Sequence, residues 1–398
     1  MNDDHIVPNF VEDLLTASNN GLNGISDALS TLLHTPVIIT DSLYHILSMS
    51  QFEYKNDGLQ VMVEPSPYQE DSMLHECFLV TKNGKESALR CIISFDQKVE
   101  GFLFAVGNPQ KMETSLLKLA TSLCSMNIKK NVEIVKEKKR YKDAFLYNLL
   151  YGNMKEKADI VSYGHLWRWD FEEPMTVIVF SIEEYNMYTD DKNLIEALFY
   201  IVKKALTQHQ FTPILLKKRN EVTVIFPTVT QSDNQKEDLT QLIHFILNQT
   251  KDTQLEDRVR CGIGRTYENP VEIFRSYQEA KVAYELGLLL NISLPFFEDL
   301  GLERILYKHD LQDLKEFYYH VLGRIEALDV GKELMITIEQ LAKNQFDLKR
   351  TSDAMFIHKN TLRYRIKKIE EVLQQKLDDV ETRLNISAAL KIKQLHKV

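Results

Sequence analysis

The feature that most constrains this chain is a short stretch near its C-terminus in which apolar residues recur at helical spacing. Four residues mark the side that a helix of this stretch would bury: Leu362, Ile366, Ile369 and Leu373. Their separations of three and four residues place them on one face of an α-helix. The opposite face carries polar and basic side chains: Asn360, Arg363, Tyr364 and Lys367. The stretch therefore predicts a helix with one buried side and one side left for solvent or a ligand.

A shorter helix is predicted just before this one. It covers the residues from about Leu348 to Ala354, and Ala354 is small enough to let the two helices approach closely. The apolar residues of the intervening turn are expected to pack it: Met355, Phe356 and Ile357. His358 occupies the N-cap of the second helix, where Ser or Asn would cap better. Two short helices joined by such a turn predict a helix-turn-helix.

The charge of this segment differs from that of the rest of the chain. Residues 343–368 hold five Lys and three Arg against Asp347 and Asp353, a balance of +6. Because the whole chain has a net charge of −9, the remaining residues together carry −15. A locally basic segment in an acidic chain is typical of a surface that meets phosphate. Any affinity for DNA must therefore come from this segment and not from the total charge.

The residues of this motif resemble those of one bacterial family. The run Ile357-His-Lys-Asn-Thr-Leu-Arg-Tyr-Arg-Ile366 is followed by Ile369-Glu370, Leu377-Asp378-Asp379 and Arg383-Leu384. This pattern resembles the C-terminal DNA-binding domain of PucR/CdaR-type transcriptional regulators, and its start is also similar to the helix-turn-helix of Fis-like proteins. The sequence departs from the family at Gln374-Gln375-Lys376, where the family has a Gly-containing turn after the recognition helix.

A helix-turn-helix of this kind enters the major groove of DNA by the N-terminal part of its second helix. Because Asn pairs bidentately with adenine and Arg with guanine, we expect Asn360 and Arg363, together with Tyr364, to contact base edges. The other basic and hydroxyl side chains are expected to contact phosphates, which position a protein without reading sequence: Lys359, Thr361, Arg365, Lys367 and Lys368. Since one helix-turn-helix makes few contacts, we expect a homodimer or higher homo-oligomer on paired half-sites.

Length and composition bound the rest of the molecule. A chain of 398 residues is expected to hold two or three domains. The four cysteines form no CxxC pair, and the 11 histidines show no HExxH or HxH spacing, so we expect neither disulfides nor a metal site. The acidic N-terminus lacks the features of a signal peptide, and no apolar run approaches the roughly 18 residues of a membrane span. These features predict a cytoplasmic protein.

Residues 1–112 are expected to form an α/β sensor domain. Phe10–Leu33 predicts one or two helices interrupted near Gly21–Gly24. Strands are predicted at Pro36–Asp41, Tyr44–Met49, Glu76–Thr81, Ser87–Phe95 and Gly101–Val106. The run Pro36-Val-Ile-Ile-Thr-Asp41, followed by a second strand, is similar to the start of a GAF domain. The segment Phe52–Ser72 is either a ligand lid or an ordinary surface loop, and a small-molecule effector is expected in this domain.

Residues 113–150 are expected to form a linker helix. Within it, Lys129–Asp143 holds seven basic against three acidic side chains. The helix either pairs in a dimer or is a solvated connector between domains. Lys139 and Lys142 interrupt the apolar seam that a sustained coiled coil needs.

Residues 151–300 alternate strand and helix. The pattern predicts strands at 176–182, 212–217, 221–226 and 258–264, and helices at 193–208, 238–248 and 270–287. This β-α-β-β-α-β order predicts an antiparallel sheet covered on one face by helices. Three runs resemble the degenerate GGDEF-like domain of the same regulators: Cys261–Tyr267, Ser276–Lys281 and Pro295–Gly301.

That resemblance raises the question of catalysis. A nucleotide cyclase needs a glycine-glycine turn that lets the backbone approach phosphate, and carboxylates that hold metal ions. The hairpin here is Lys218-Arg219-Asn220-Glu221, without glycine, and Glu221 alone cannot hold two magnesium ions. We therefore expect no catalytic residue, no cofactor and no enzyme activity.

Residues 301–398 are expected to form a helical DNA-binding domain. Its helix-turn-helix lies at about 347–373, on supporting helices that Gly331 separates, and a last helix runs from Arg383 to His396. The expected fold class is a multi-domain protein with two α/β domains, GAF-like and GGDEF-like, and an all-α domain.

The expected function is that of an effector-responsive, sequence-specific transcriptional regulator, and the resemblance implies control of catabolic genes. Two alternatives stay open. One is a signalling enzyme that acts on a cyclic nucleotide through the central domain. The other is an interaction or scaffold protein whose basic helix binds an acidic partner.

Overall fold

The computed structural model describes residues 9–50, 63–65, 74–81, 84–107, 114–186, 188–189, 191–228 and 235–396. The chain divides into two compact units, Met1–Tyr141 and Lys142–Val398, and the boundary falls within one long helix. Among the helices within the described ranges, none combines the length and the apolarity that crossing a lipid bilayer requires.

The first unit contains a six-stranded antiparallel sheet. Its helices are α1 (Asn9–Ser18), α2 (Gly21–Leu33) and the start of α3 (Thr114–Leu150). Its strands are β1 (Val37–Asp41), β2 (Ile46–Met49), β3 (Val63–Pro65), β4 (Leu74–Thr81), β5 (Gly84–Phe95) and β6 (Lys98–Val106), arranged in the order β2-β1-β6-β5-β4-β3. The predicted helix break is confirmed, and it lies just before Gly21. The predicted segment Phe52–Ser72 lies outside the described residues apart from β3.

Alternation along the strands divides this sheet into two faces. Ile39 of β1 and Leu103 of β6 lie on one face and pack against α1, α2 and the start of α3. Ile38, Phe104 and Cys77 lie on the other face, which carries a smaller apolar cluster. The helices described in this unit therefore cover only the first of these faces.

The turn between β1 and β2 is built around Asp41. Its Oδ1 accepts hydrogen bonds from the N–H groups of Leu43 and His45, both at 2.8 Å. Because these bonds close the turn, β2 begins at Ile46, two residues later than predicted. Tyr44 is left in the left-handed region with φ 65°.

All four cysteines are buried as free thiols. Burial raises the pKa of Cys77 to about 11 and those of Cys91, Cys124 and Cys261 to about 12. The thiols are therefore protonated near neutral pH, which makes them poor nucleophiles and poor metal ligands.

The second unit begins with an α/β layer. Its elements are α4 (Lys157–Leu166), β7 (Met175–Ile182), α5 (Asp191–Gln208), β8 (Leu215–Lys217), β9 (Glu221–Pro227), α6 (Gln235–Asn248), β10 (Val259–Ile263) and α7 (Ile273–Leu290). The four strands form an antiparallel sheet in the order β10-β7-β9-β8. The predicted β-α-β-β-α-β order is confirmed.

The prediction that helices cover one face of this sheet is wrong. Every residue of β7 is buried, so both of its faces need a cover. Phe180 and Ile182 pack against α5 and α6. Val177 and Val179 pack against α4, α7 and the end of α3. The near-continuous apolar run of β7 is typical of a strand buried on both faces. This run is the sequence feature that indicates two layers of helices.

The rest of the second unit is helical. Its elements are α8 (Glu303–Leu306), α9 (Leu311–Glu326), α10 (Gly331–Lys343), α11 (Leu348–Ala354), α12 (Lys359–Leu373) and α13 (Val380–His396). Tyr318, Leu322 and Ile338 lie in the core that α9, α10, α12 and α13 share. The predicted break at Gly331 is confirmed. Leu395 near the end of α13 packs against the α7 side of the α/β layer.

Candidate nucleic-acid interface

Helices α11 and α12 form the predicted helix-turn-helix. Asp347 caps α11, since its Oδ1 accepts a hydrogen bond from the N–H of Arg350 at 2.8 Å. The turn places Phe356 in the left-handed region with φ 54°. His358 caps α12, because its Nδ1 accepts from the N–H of Asn360 at 3.2 Å. The prediction that His358 is the N-cap of the second helix is therefore confirmed.

The buried side of α12 is the predicted apolar stripe. Leu362 and Ile369 are fully buried, and Ile366 and Leu373 are half-buried against the same core. This stripe packs α12 against α9 and α10, so the opposite, polar side of α12 faces outward.

Two predictions about the turn are wrong. Ala354 is exposed, and the small residues buried in α11 are Thr351 and Ser352. Phe356 does not pack the turn but is 96% exposed. The exposure of Phe356 follows from the backbone of the turn. The turn's left-handed residue reverses the chain at Phe356, so its side chain points away from the core that α11 and α12 share.

Most of the predicted DNA-contacting side chains lie on the outward side of α12. The exposed ones are Lys359, Asn360, Thr361, Arg363, Tyr364 and Lys367, while Lys368 is half-buried. Nη1 of Arg363 donates to Oδ1 of Asn360 at 3.4 Å. Tyr364 is 67% exposed. These groups together form an exposed surface of donors and positive charge.

Arg365 departs from the prediction that it contacts phosphate. Its guanidinium forms an ion pair with Glu333 and donates to Oγ1 of Thr337 at 3.4 Å. The Arg365 side chain is only 17% exposed. Its position on α12 turns Arg365 toward α10, so this residue ties α12 to its supporting helix.

Two basic residues of α11 were missed by sequence reasoning. Lys349 and Arg350 lie in the first turn of α11 and are exposed. In a helix-turn-helix the first helix crosses the DNA backbone, so this is a position for phosphate contacts. The signal that could have found them was the +6 balance of residues 343–368, to which both contribute.

The residues after α12 that carry the family resemblance have structural roles. The helix ends at Gln374, which adopts the left-handed conformation with φ 54°. The Glu370 carboxylate accepts from the N–H of Leu377 at 2.9 Å, and this bond holds the pKa of Glu370 below its ordinary value. Nε of Arg383 donates to the carbonyl of Leu377 at 2.6 Å. Asp379 caps α13, accepting from the N–H of Thr382 at 2.9 Å.

The central hairpin carboxylate, Glu221, is engaged by neighbouring side chains. Nζ of Lys281 lies 2.6 Å from Oε2, and the Tyr277 hydroxyl donates to Oε1 at 2.8 Å. Nζ of Lys218 lies 3.3 Å from the same Oε1. Within the ranges that the structure describes, no group of three or more His, Cys, Asp or Glu is placed to hold a metal ion.

These contacts set the charge of Glu221. Burial alone would raise its pKa, but the Lys281 ammonium, the Lys218 charge and the Tyr277 hydroxyl together hold that pKa below its ordinary value. The carboxylate is therefore ionised near neutral pH, and its charge is already balanced by lysine.

Two stretches of the chain match known domain families. Residues 334–392 match the PucR C-terminal helix-turn-helix domain, and residues 151–286 match a GGDEF-like domain. The first match contains α11 and α12, and the second contains the four-stranded sheet and most of α7.

The chain is also similar to known regulators. It is 20% identical over 390 residues to the purine catabolism regulatory protein of Bacillus subtilis (strain 168), covering 95% of this chain and 72% of that protein. It is 20% identical over 317 residues to the carbohydrate diacid regulator of Escherichia coli (strain K12), covering 78% and 80%. It is 25% identical over 217 residues to the proline-responsive transcriptional activator PutR of Bacillus subtilis (strain 168), covering 52% of each.

Among solved structures, the regulator of polyketide synthase expression from Bifidobacterium adolescentis is similar with 13% identity and a TM-score of 0.32. That likeness covers 65% of this chain and 93% of the solved chain.

Proposed function

We propose that this chain, which is a transcriptional regulator of the PucR/CdaR type, reads operator DNA with the N-terminal turns of α12. The observation that carries the proposal is the exposed face of α12, where Asn360, Arg363 and Lys367 project outward while the apolar stripe is buried. A helix with this division fits the major groove, which is wide enough for one α-helix.

The proposed roles follow from the chemistry of each side chain. Asn360, Arg363 and Tyr364 contact base edges. The remaining exposed or half-exposed polar groups grip phosphates: Lys359, Thr361, Lys367 and Lys368 of α12, and Lys349 and Arg350 of α11. Arg365 is left out of the set, because Glu333 already neutralises it.

We propose that the protein acts as a dimer on paired half-sites. One α12 contacts only a few base pairs. Two copies, each on its own half-site, double the number of base and phosphate contacts. The proposed domain division is a sensor over 1–112, a linker helix over 113–150, a GGDEF-like domain over 151–300 and a DNA-binding domain over 301–398.

We further propose that the sensor is GAF-like and takes a small-molecule effector, and that the regulated genes are catabolic. The support for catabolic control is the naming of the relatives, which are regulators of purine catabolism and carbohydrate diacids and a proline-responsive activator. Because the DNA to be bound is chromosomal, the proposed site of action is the cytoplasm.

The central domain is proposed to be non-catalytic. Lys281 and Tyr277 donate hydrogen bonds to the Glu221 carboxylate. A metal ion would have to displace both of them before this carboxylate could bind it. This favours a structural role for the hairpin over the signalling-enzyme alternative.

A mobility-shift experiment tests the proposal. The full chain is titrated onto the DNA upstream of its own gene and onto a scrambled duplex of equal length, at a series of salt concentrations. We expect tighter binding to the upstream DNA, and affinity for both duplexes that falls steeply with salt as counterions are released. Equal affinity for the two duplexes, or none for either, would contradict the proposal and favour a scaffold role.

A further inference from the structure

The sheet face of the first unit that α1–α3 do not cover carries an arginine, Arg90, beside an apolar cluster. Arg90 lies on β5, directly opposite Phe104 of the neighbouring strand β6. On its other side Arg90 lies opposite His75 of β4. The same face carries a buried apolar cluster that includes Ile38, Cys77, Ala88 and Phe104. Beside them, Tyr44 and Phe102 stack with ring centroids 4.8 Å apart and an interplanar angle of 12°.

The contacts of Arg90 with the described residues are aromatic and hydroxyl contacts. Its Cζ lies 5.3 Å from the centroid of the Phe102 ring, and its Nη1 donates to the Tyr44 hydroxyl at 3.3 Å. Its Nε is buried and has no hydrogen-bond acceptor in the described part of the chain. A half-buried guanidinium in apolar surroundings is costly unless an anion meets it.

The ring that flanks this guanidinium is held in place by the backbone. Tyr44 sits in the β1–β2 turn with φ 65°, a conformation that costs energy for a residue with a side chain. The Asp41 carboxylate maintains the turn by accepting from the N–H groups on either side of Tyr44, those of Leu43 and His45. The turn therefore presents the tyrosine ring and hydroxyl to Arg90 in a fixed position.

We propose that this face binds a small organic carboxylate, whose charge pairs with Arg90 and whose apolar body lies against the stacked rings of Tyr44 and Phe102. A carboxylate supplies the acceptors that the guanidinium lacks, in the planar geometry that arginine prefers. The aromatic surface beside it favours an organic anion over inorganic phosphate. This inference rests on the proposed function only in assigning the ligand the role of effector; the binding itself is independent of DNA.

Fluorine NMR of a ligand tests the inference directly. The probe is para-fluorobenzoate, its uncharged control is para-fluorobenzamide, and inorganic phosphate is the competitor. We expect the full chain to broaden the benzoate signal at least twofold and to leave the benzamide signal unchanged. Phosphate should not restore the sharp signal. The inference is overturned if benzoate at a concentration comparable to that of the protein is not broadened, if benzamide is broadened equally, or if phosphate competes.

Two variants separate a ligand site from a structural arginine. Arg90→Met should lose the broadening, while Arg140→Met, an exposed arginine on α3, should keep it. Without ligand, Arg90→Met should unfold at a urea concentration no lower than that of Arg140→Met, because the change also removes the buried Nε that lacks an acceptor, and this offsets the lost contacts with Tyr44 and Phe102. A clearly lower urea midpoint would mean that other residues of the chain already pair with the Arg90 guanidinium, and it would overturn the inference. If Arg90→Met does not fold, that result counts as the lower midpoint.

The mobility shift keeps the two proposals apart. Arg90→Met should bind upstream DNA as the wild type does in the absence of ligand. A protein that binds benzoate but no DNA would refute the proposed function alone, and one that binds DNA but no benzoate would refute this inference alone.

Discussion

Nη1 of Arg363 donates a hydrogen bond to Oδ1 of Asn360 at 3.4 Å, one helical turn apart on the outward face of α12. At this length the bond is weak, so both groups can exchange it for base edges. The cap that His358 provides begins the helix just before this pair. The groups that we propose to contact adenine and guanine are therefore presented together at the N-terminal end of α12.

Arg365→Met should lower stability and leave DNA affinity unchanged. The Arg365 guanidinium pairs with Glu333, so its loss removes a tie between α12 and α10 worth about 1 kcal/mol. Urea unfolding measures the first effect and the mobility shift measures the second. Lys368→Met is the matched comparison, since it should weaken DNA binding with little effect on stability. If Arg365→Met binds DNA more weakly and its stability is unchanged, Arg365 contacts phosphate and this prediction is wrong.

Gln374→Gly should stabilise the DNA-binding domain by roughly 0.5–1 kcal/mol. Gln374 ends α12 in the left-handed conformation, which glycine adopts without the steric cost of a Cβ. The free energy of unfolding in urea is the measurement. Gln375→Gly serves as the control, because Gln375 is not left-handed and the change should be neutral or slightly destabilising. Equal effects of the two substitutions would contradict the account of how the helix ends.

Glu221→Gln should make the protein less sensitive to acid. Because the folded-state pKa of Glu221 is lowered from 4.5, its ionised form contributes stability above the pKa of the unfolded state. That contribution is lost as the pH falls through the folded-state pKa. Near pH 7 the variant should be less stable by roughly 1–3 kcal/mol, since Lys281 and the buried Tyr277 lose a charged acceptor.

The measurement for Glu221 is the free energy of unfolding between about pH 6 and about pH 3. The wild type should lose more stability over this range than Glu221→Gln. Glu196→Gln is the control, because that carboxylate pairs with Lys217 at the surface and is 62% exposed. A wild type and a Glu221→Gln variant with parallel pH profiles would show that the hairpin ion pair adds nothing.

Gly262→Ala should destabilise the α/β layer by roughly 1–3 kcal/mol. A Cβ at Gly262 would lie 2.1 Å from the carbonyl oxygen of Ala280, where α7 crosses β10, so the helix would have to move. Gly301→Ala is the control, since its Cβ would meet only the end of the Glu303 side chain at 3.4 Å. Both variants are compared by urea unfolding. A Gly262→Ala variant as stable as Gly301→Ala would mean that the close crossing is not required.

Periodic and local signals allowed much of this fold to be predicted. The stripe from Leu362 to Leu373, the break at Gly331 and the alternation of elements in the central domain follow from spacing alone. His358 could be assigned to the N-cap because the helix start is set by the residues that follow it. These features depend on neighbours a few positions away, which a sequence displays directly.

Tertiary contacts set the features that sequence reasoning missed. Arg365 and Lys367 look alike in sequence, and only the position of α10 makes the first an internal tie and leaves the second exposed. Phe356 is apolar and was expected to pack, yet the left-handed turn directs it outward. The environment of Arg90 could not be predicted from the sequence, because it depends on aromatic rings contributed by β6 and by the β1–β2 turn.

The central claim is that the outward face of α12 reads DNA sequence, and one comparison tests it most directly. Wild type, Arg363→Ala and Lys367→Ala are titrated onto the operator and onto a set of its single-base variants, at several salt concentrations. The account predicts that Arg363→Ala costs roughly 1–3 kcal/mol and relaxes the preference at one position. It predicts that Lys367→Ala weakens every sequence alike and reduces the salt slope by about one. Identical effects of the two variants on every sequence would contradict it.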